Sequence, residues 1–565
     1  ILKQDKGRGV IILDKNTYVE KCSSLLNSNE FKKLDNDVTA TYERKIQKTL
    51  RKLKDKLPSN QYRKLYPTGS NAGKFYGTGK IHKMKPGDNV EQLPIRPIVS
   101  NIGTASYHLA KYLSKLLSPL SRNEYTIKST KDFIAQLKHA PKPSKDTHLV
   151  SFDVKSLFTN VPLNHTINII LRRIYDEGEI ETNFSKSELR KLIILCTSGV
   201  HFSFNNEMYI QTDGVAMGSP LAPVLANIFL CELEKRCIYK LISKMKFWRR
   251  YVDDTIALIK IGSVQYILNT LNSYHPKIQF TYEVEKDEKI PFLDVMVIRS
   301  NNTFKTDVYR KSTSNDIYLH WSSFAPISWK RGTLKTLIER AFIVCSTKEF
   351  RNAEIKHLRT AFHEKNGYPM WIFNQVLEHV EERNVDIDLI NTSNEIPVEI
   401  TQEKEMTTPM LILPYAGNTG EHLVSSLKKN MGRHLPSNIQ PKIVFTGKKL
   451  SSQFNVKDKT LALNKHKVVY KFNCPADGCN ISYIGECTRR LAERVKDHSG
   501  RDKKSHVLRH CINKGHENTS FSNFDVICSG FRNKKLQLIA EALLIKKHRP
   551  QLNRQEKSFP LKLFT

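Results

Sequence analysis

No run of the 565 residues is long and apolar enough to span a bilayer, and the first residues do not read as a secretory signal. Internal repeats are absent. The ten cysteines stand mostly singly, which argues against a disulfide scaffold and for a reducing compartment. Acidic residues are scarce beside basic ones: 56 Asp and Glu against 90 Lys and Arg, a net charge of +34. A folded chain with that excess spread along its length repels itself unless a polyanion is its usual company. Nucleic acid is therefore the first candidate partner, and a membrane surface the bland rival. At 39% hydrophobic residues the chain is globular rather than disordered, with length for roughly two to four domains. It begins with Ile1 rather than Met, so a preceding segment is expected.

Along the chain, "KFYGTGKIHKMKPGD" reads as a loop rich in Gly and Lys, and "LPIRPIVSNIGTASYHLAKYLSKLL" opens extended and turns into an amphipathic helix. From 148 to 310, short β-branched runs alternate with helices; 325 to 395 reads as mainly helical. The polar stretch 391–410 reads as a linker, strand-like "LILPYAG" and "PKIVFTG" follow, and a compact Cys/His-bearing unit occupies about 466 to 555.

"FWRRYVDDTIALIK" sets two adjacent carboxylates, Asp253 and Asp254, between two strand-like runs. Like charges there gain nothing from a strand ladder. A third carboxylate, Asp153, ends another β-type run in "THLVSFDVKSLFTNVPL". Each alone has an ordinary reading, a turn or a cap. Together, at strand ends inside one α/β segment, they would repel strongly unless divalent cations sit among them. Hard oxygen ligands select Mg²⁺ or Mn²⁺, and two such ions suit an in-line phosphoryl transfer. Between them lies "DGVAMGSPLAPVLANIFLCELE", whose small residues would let a base pair and sugar approach the backbone.

"FDVKSLFTNVPL", "GVAMGSPLAPVLANIF" and "YVDD" resemble, in order and spacing, the palm motifs of reverse transcriptases. The wording "SLFTNVP", with "PFLDV", "FYGTGKIHK" and "RPIVS", is similar to Penelope-like retroelements, relatives of telomerase reverse transcriptase. The resemblance covers roughly residues 5 to 350. It implies that Asp153 and Asp253 bind two catalytic Mg²⁺ and that Asp254 supports the site. It makes Phe158 the aromatic gate against a 2′-hydroxyl, and has Gly214, Gly218, Ser219 and Pro220 line template and nucleotide. It sets Tyr251 against the primer end, and has Arg96 and Lys80 contact the triphosphate from the fingers. Asp294 would support the fold near the primer grip. The helical stretch would be the thumb, its mix of aromatic and basic residues in "SSFAPISWKRGTLKTLIERA" gripping a duplex.

In "HKVVYKFNCPADGCNISYIGECTRRLAERVKDH", two strand-like pieces carry Tyr470 and Tyr483, and a helix follows with Arg494 and His498 four apart on one face. A later helix holds one carboxylate, Glu541, in an otherwise apolar stretch. Cys474 and Cys479, followed by His506, His510 and His516, have zinc-like spacing, with Cys511 a further candidate. This unit is similar to GIY-YIG endonucleases, although the first tripeptide is Val468-Val469-Tyr470; the second, Tyr483-Ile484-Gly485, is intact. The resemblance implies that Tyr470 or Tyr483 helps deprotonate water and that Arg494 stabilises the charged phosphorane. It has Glu541 hold one Mg²⁺, Asn553 and Gly485 support the site and His498 assist. It draws the zinc ligands as Cys474, Cys479, His510 and His516, a structural Zn²⁺.

The expectation is an α+β multidomain chain: a right-hand polymerase of fingers, palm and thumb, plus a small α/β GIY-YIG endonuclease domain with a zinc knuckle. Its parts are 1–147 (N-terminal segment and fingers), 148–324 (palm, with part of the fingers), 325–395 (thumb), 396–465 (connector), 466–555 (endonuclease) and 556–565 (tail). The implied function is an RNA-directed DNA polymerase that nicks target DNA and copies element RNA from the freed 3′-hydroxyl. Its partners would be template RNA, double-stranded target DNA and dNTPs, its place the nucleus. The alternatives are a telomerase-like polymerase with a silent nuclease and a non-catalytic nucleic-acid-binding protein.

Overall fold

The computed structural model describes residues 1–392, 410–434, 439, 442–447, 453–454, 456–516, 520–531 and 533–553, apart from 8, 86, 301, 312 and 313. The 556–565 tail and most of the polar stretch 391–410 lie outside the described residues.

The centre is a four-stranded antiparallel sheet. Its strands are β6 (Thr147–Val154), β9 (Met245–Tyr251), β10 (Asp254–Lys260) and β11 (Phe280–Val284), in the order β11-β6-β10-β9. Between its charged ends β10 is buried without interruption, as befits a strand covered on both faces. Val150, Phe152, Ala257 and Ile259 pack on one side with the helices Leu163–Tyr175 and Ala222–Leu241. Leu149, Ile256 and Leu258 face the other way, against Phe133, Phe292 and Val295. That second layer is a meander of β12 (Lys289–Phe292), β13 (Val295–Ser300) and β14 (Thr303–Val308).

A five-stranded sheet lies to one side. Its strands, in the order β3-β8-β7-β4-β5, are β3 (Phe31–Leu34), β4 (Gly73–Gly79), β5 (Ile95–Ser100), β7 (His201–Phe204) and β8 (Glu207–Gln211). It draws β7 and β8 out of the stretch read as palm and pairs β7 with β4 in parallel. The N-terminal arm, β1 (Leu2–Lys3) and β2 (Val10–Ile11), adds to its edge: Gln4 bridges Gly79, and Asp5 N–H donates to Gly79 O at 2.8 Å.

Three helices, Ile327–Val344, Lys348–Thr360 and Met370–Thr392, share a core of Leu334, Ile338, Leu358, Phe362 and Phe373. The stretch 396–465, read as a connector, is more than a tether. Its described residues form a strand–helix–strand unit in which β15 (Met410–Pro414) and β16 (Lys442–Thr446) are parallel and joined through the helix Gly417–His434. Apolar β-runs on either side of an amphipathic helix are enough for that unit. Residues 456–461 then lie against the turn of β7 and β8, where Asn205 N–H donates to Asp458 Oδ1 at 3.1 Å.

The C-terminal unit is a three-stranded antiparallel sheet, β17 (Val468–Asn473), β18 (Ser482–Cys487) and β19 (Phe524–Cys528), with β17 central. Helices Leu491–Lys496, His506–Lys514 and Lys534–His548 complete it. It touches the five-stranded sheet's neighbourhood through Arg490, whose guanidinium donates twice to Ser70 O at 3.0 and 2.8 Å.

Candidate active sites

β9 and β10 are joined by a two-residue turn, Val252-Asp253, with Tyr251 opposite Asp254. Val252 sits at φ +57°, a conformation a β-branched residue adopts at a cost on the order of 1–3 kcal/mol. The arginine before it holds the turn. Arg250 is wholly buried: it donates to Glu234 at 2.7 and 3.0 Å, to Asn227 Oδ1 at 2.7 Å and to Val252 O at 3.1 Å. The sequence offered two adjacent arginines with no sign of which is structural; only the pleat turns Arg250 inward.

Asp153 stands near the end of β6. The register pairs Thr255 with Phe152, which brings Asp254 beside Asp153. Burial, and then repulsion from Asp253, holds the Asp153 carboxyl above its ordinary range. Burial, then Asp253, then Asp153 does the same for Asp254. Three adjoining oxygen-donor carboxylates, of which Asp153 and Asp254 are held above their ordinary range, fit hard divalent cations such as Mg²⁺. The cavity that Asp153 and Asp254 face, about 470 Å³, is also lined by Lys6, His82, Tyr309 and Lys311. None of those four was picked out from the sequence, where each is one lysine, histidine or tyrosine among many.

Arg96 lies on β5 and its Nε is 2.6 Å from Asp5 Oδ1, so the N-terminal arm reaches this side of the site. Lys80 follows β4; burial and then the nearby Arg96 depress its ammonium. Tyr251 ends β9, half-exposed. Phe158 lies in a single helical turn, Leu157–Asn160, partly buried against the core, and Val215 N–H donates to its carbonyl at 2.8 Å. A Cβ on Gly214 would meet Thr159 O at 2.2 Å, and one on Gly218 would meet Val99 O at 2.3 Å. Both have positive φ. What comes close at these two positions is the chain's own backbone, so the glycines pack the loop onto β5 and the turn after β6. Ser219 is buried there, with Pro220 half-buried beside it just before the helix Ala222–Leu241. Asp294 accepts from Thr130 Oγ1 at 2.5 Å behind the site.

Two aromatics of the stretch expected to grip a duplex meet the β15–β16 unit. Phe324 lies 5.0 Å from Tyr415, centre to centre, and Trp329 lies against Gly447 of the β15–β16 unit.

In the C-terminal unit, Tyr470 is wholly buried; its hydroxyl lies 2.7 Å from His498 Nε2 and accepts from Arg494 Nε at 3.2 Å. Helix Leu491–Lys496 continues through a wide turn over 497–501, so Arg494 and His498 both reach this hydroxyl. His498 is interior, not on the surface: burial, then Arg494, depresses it to about 3, which keeps the ring neutral. Its Nδ1 is 2.6 Å from Ser505 Oγ, which also accepts from Leu508 N–H at 3.2 Å as the cap of the next helix. Burial lifts the Tyr470 phenol well above its usual value. Tyr483 is less buried, its ring 5.7 Å from His498. Gly485 is where these rings cross: a Cβ there would meet Tyr483 Cε1 at 2.6 Å and Tyr470 Oη at 2.7 Å. Asn553 clamps β18, accepting from Ile484 N–H at 2.8 Å and donating to Ile484 O at 2.6 Å. Burial and then Glu486 push the Glu541 carboxyl up to about 7. Ser505 and Glu486 are further residues the sequence gave no reason to single out.

Cys474, Cys479, His510 and His516 bring one ligand atom each within 4.8 Å of one another, without His506 or Cys511. Cys511 packs instead in the unit's hydrophobic core. Two thiols and two imidazoles converging on one point fit a tetrahedral Zn²⁺ with no open position.

Residues 90–290 match the family described as reverse transcriptase (RNA-dependent DNA polymerase). Residues 317–376 match an animal helix-turn-helix domain. No curated protein matches the chain. Among solved structures the chain is similar to telomerase from Candida albicans in complex with a TWJ fragment of telomeric RNA, with 12% identity, a TM-score of 0.38 and coverage of 65% of this chain and 68% of that one. It is similar to apo telomerase from Candida tropicalis truncated from its C-terminal domain, with 11% identity, a TM-score of 0.35 and coverage of 52% and 59%. A sicinivirus RNA-dependent RNA polymerase gives 10% identity, a TM-score of 0.36 and coverage of 57% and 70%. The chain thus carries a reverse transcriptase domain that contains Asp153, Asp253 and Asp254, which supports RNA-directed DNA polymerase activity on an RNA template with nucleotide substrates and divalent metal ions. No helix of the described residues is long and apolar enough to cross a membrane.

Proposed function

We propose that this chain is the polymerase of a Penelope-like retroelement, in which a C-terminal GIY-YIG-type endonuclease nicks target DNA and the reverse transcriptase copies element RNA from the freed 3′-hydroxyl. The observation that carries the reading is the gathering of Asp153, Asp253 and Asp254 at adjoining strand ends inside the segment that matches reverse transcriptases. These carboxylates would hold two Mg²⁺, which neutralise charge on the phosphoryl group in transfer when bound. Arg96 and Lys80 bind the triphosphate from the fingers, Phe158 screens the sugar, Tyr251 supports the primer end and the 325–395 helices carry the duplex. Gly214 and Gly218 shape the loop beside the nucleotide, with Ser219 and Pro220.

The nuclease reading is supported by Tyr470, Tyr483, Arg494 and His498 meeting over Gly485. Tyr470 is enclosed in the core, so Tyr483 is the tyrosine a nucleophilic water can reach; Arg494 faces the phosphate. Glu541 would hold one Mg²⁺, and Cys474, Cys479, His510 and His516 a structural Zn²⁺. Template RNA, target duplex DNA and dNTPs are the partners, and the nucleus is the place of action.

Primer extension on an RNA template tests the polymerase: activity is expected, and Asp253→Asn abolishes it. Nicking of supercoiled plasmid tests the nuclease: Glu541→Ala abolishes it and Asp253→Asn does not. Extension that survives Asp253→Asn sinks the first assignment. Extension without nicking reduces the chain to a polymerase that extends existing ends.

A further inference from the structure

We propose that the N-terminal arm supplies part of the nucleotide site, with Lys6 and Lys311 together gripping the triphosphate of the incoming deoxynucleotide. The inference rests on the polymerase reading and adds two phosphate ligands to it.

The arm is fixed where it crosses the five-stranded sheet. Leu2 and Ile11 are buried, Asp5 N–H is bonded to Gly79 O, and Asp5 carboxylate pairs with Arg96 at 2.6 Å. That anchorage delivers the next residue, Lys6, to the cavity that holds Asp153 and Asp254. Lys311, just beyond β14, lines the same cavity. Burial and then the charge of Lys6 depress the Lys311 ammonium, and neither lysine forms an ion pair among the described residues. His82 lines the cavity with both ring nitrogens shielded from solvent and without a hydrogen-bond partner.

Two clusters of opposite sign therefore face one space, acidic at Asp153 and Asp254, basic at Lys6 and Lys311, and they attract one another without closing into ion pairs among the described residues. Each is costly alone. A ligand that is anionic at one end of its charge distribution and carries divalent cations at the other relieves both, and a metal-bound triphosphate is that ligand. Lys6 follows Asp5, which pairs with Arg96, and His82 stands two residues after Lys80, which favours the triphosphate over a phosphodiester of the primer.

Steady-state primer extension by the full chain tests this. Lys6→Ala and Lys311→Ala are each expected to raise KM for dNTP about tenfold while kcat and the Kd for primer–template change less than about twofold, and Lys6→Arg restores most of the loss. Unchanged KM, or a loss that appears in primer–template Kd instead, overturns the proposal. Calorimetric titration with an α,β-imido dATP and Mg²⁺ reads the same contact without turnover. If the wild-type chain extends no primer, weaker binding in Lys6→Ala still supports the site, and equal binding overturns it. Lys6 is exposed, so its variants keep the wild-type melting temperature.

Discussion

Arg250 and Glu541 show how single side chains set the two sites. Arg250 and Glu234 form an ion pair with both partners 1% exposed, and the same guanidinium holds the carbonyl of the strained Val252. Arg250→Met strands a buried carboxylate, so a loss of about 3–5 kcal/mol of stability is expected in denaturant unfolding. The double change Glu234→Leu with Arg250→Met recovers stability but leaves the turn untied, so primer extension stays low in a folded chain. Full recovery of extension by the double variant would show that Arg250 does nothing for the turn. Glu541 makes the pH argument. With its carboxyl pushed up to about 7, the folded chain keeps a proton that the unfolded chain has already released. Its contribution to stability is full at low pH and lost as pH rises through about 7. In metal-free buffer, Glu541→Gln is therefore expected to melt higher than wild type at about pH 8 and alongside it at about pH 4. An equal difference at both values refutes the assignment.

At the scale of elements, close packing decides what a motif can do. The paired strands β17 and β18 cross Tyr470 and Tyr483 over Gly485, with no room for a methyl group. Gly485→Ala has to displace Tyr470, which is enclosed, so overpacking of about 1–3 kcal/mol is expected. The Tyr470–His498 contact should break with it. Thermal unfolding of the C-terminal unit and plasmid nicking both register the change, while primer extension does not. Wild-type nicking in Gly485→Ala would mean that the two tyrosines do not work from these positions. The loop over 213–220 follows the same logic, since its glycines admit Thr159 and Val99 backbone.

Across the molecule the two sites occupy separate cores, one built on β6 and β10, the other on β17 and β18. The Cys474, Cys479, His510 and His516 cluster belongs to the second core alone, tying the loop after β17 to the helix His506–Lys514. Removing zinc with a chelator, or Cys479→Ser, is expected to open that unit to protease and cut nicking by more than about tenfold, with primer extension intact. Equal loss of both activities would show that the units stand or fall together through contacts such as Arg490 with Ser70.

The sequence by itself determined the short-range facts. Asp253 and Asp254 are adjacent, Asp153 ends an apolar run, and Arg494 and His498 stand four apart, all local properties of the chain; the helix itself stops at Lys496, and His498 falls in the wide turn over 497–501. The charge excess and the Cys/His spacing are equally legible. The tertiary structure alone decided which residues from distant segments complete those clusters: β7 and β8 leaving the palm stretch for the five-stranded sheet, Arg250 turning inward, Lys6 and Lys311 converging on one cavity, Ser505 backing His498. Long-range pairing is chosen by the burial of whole faces against one another, and no window of sequence contains both partners.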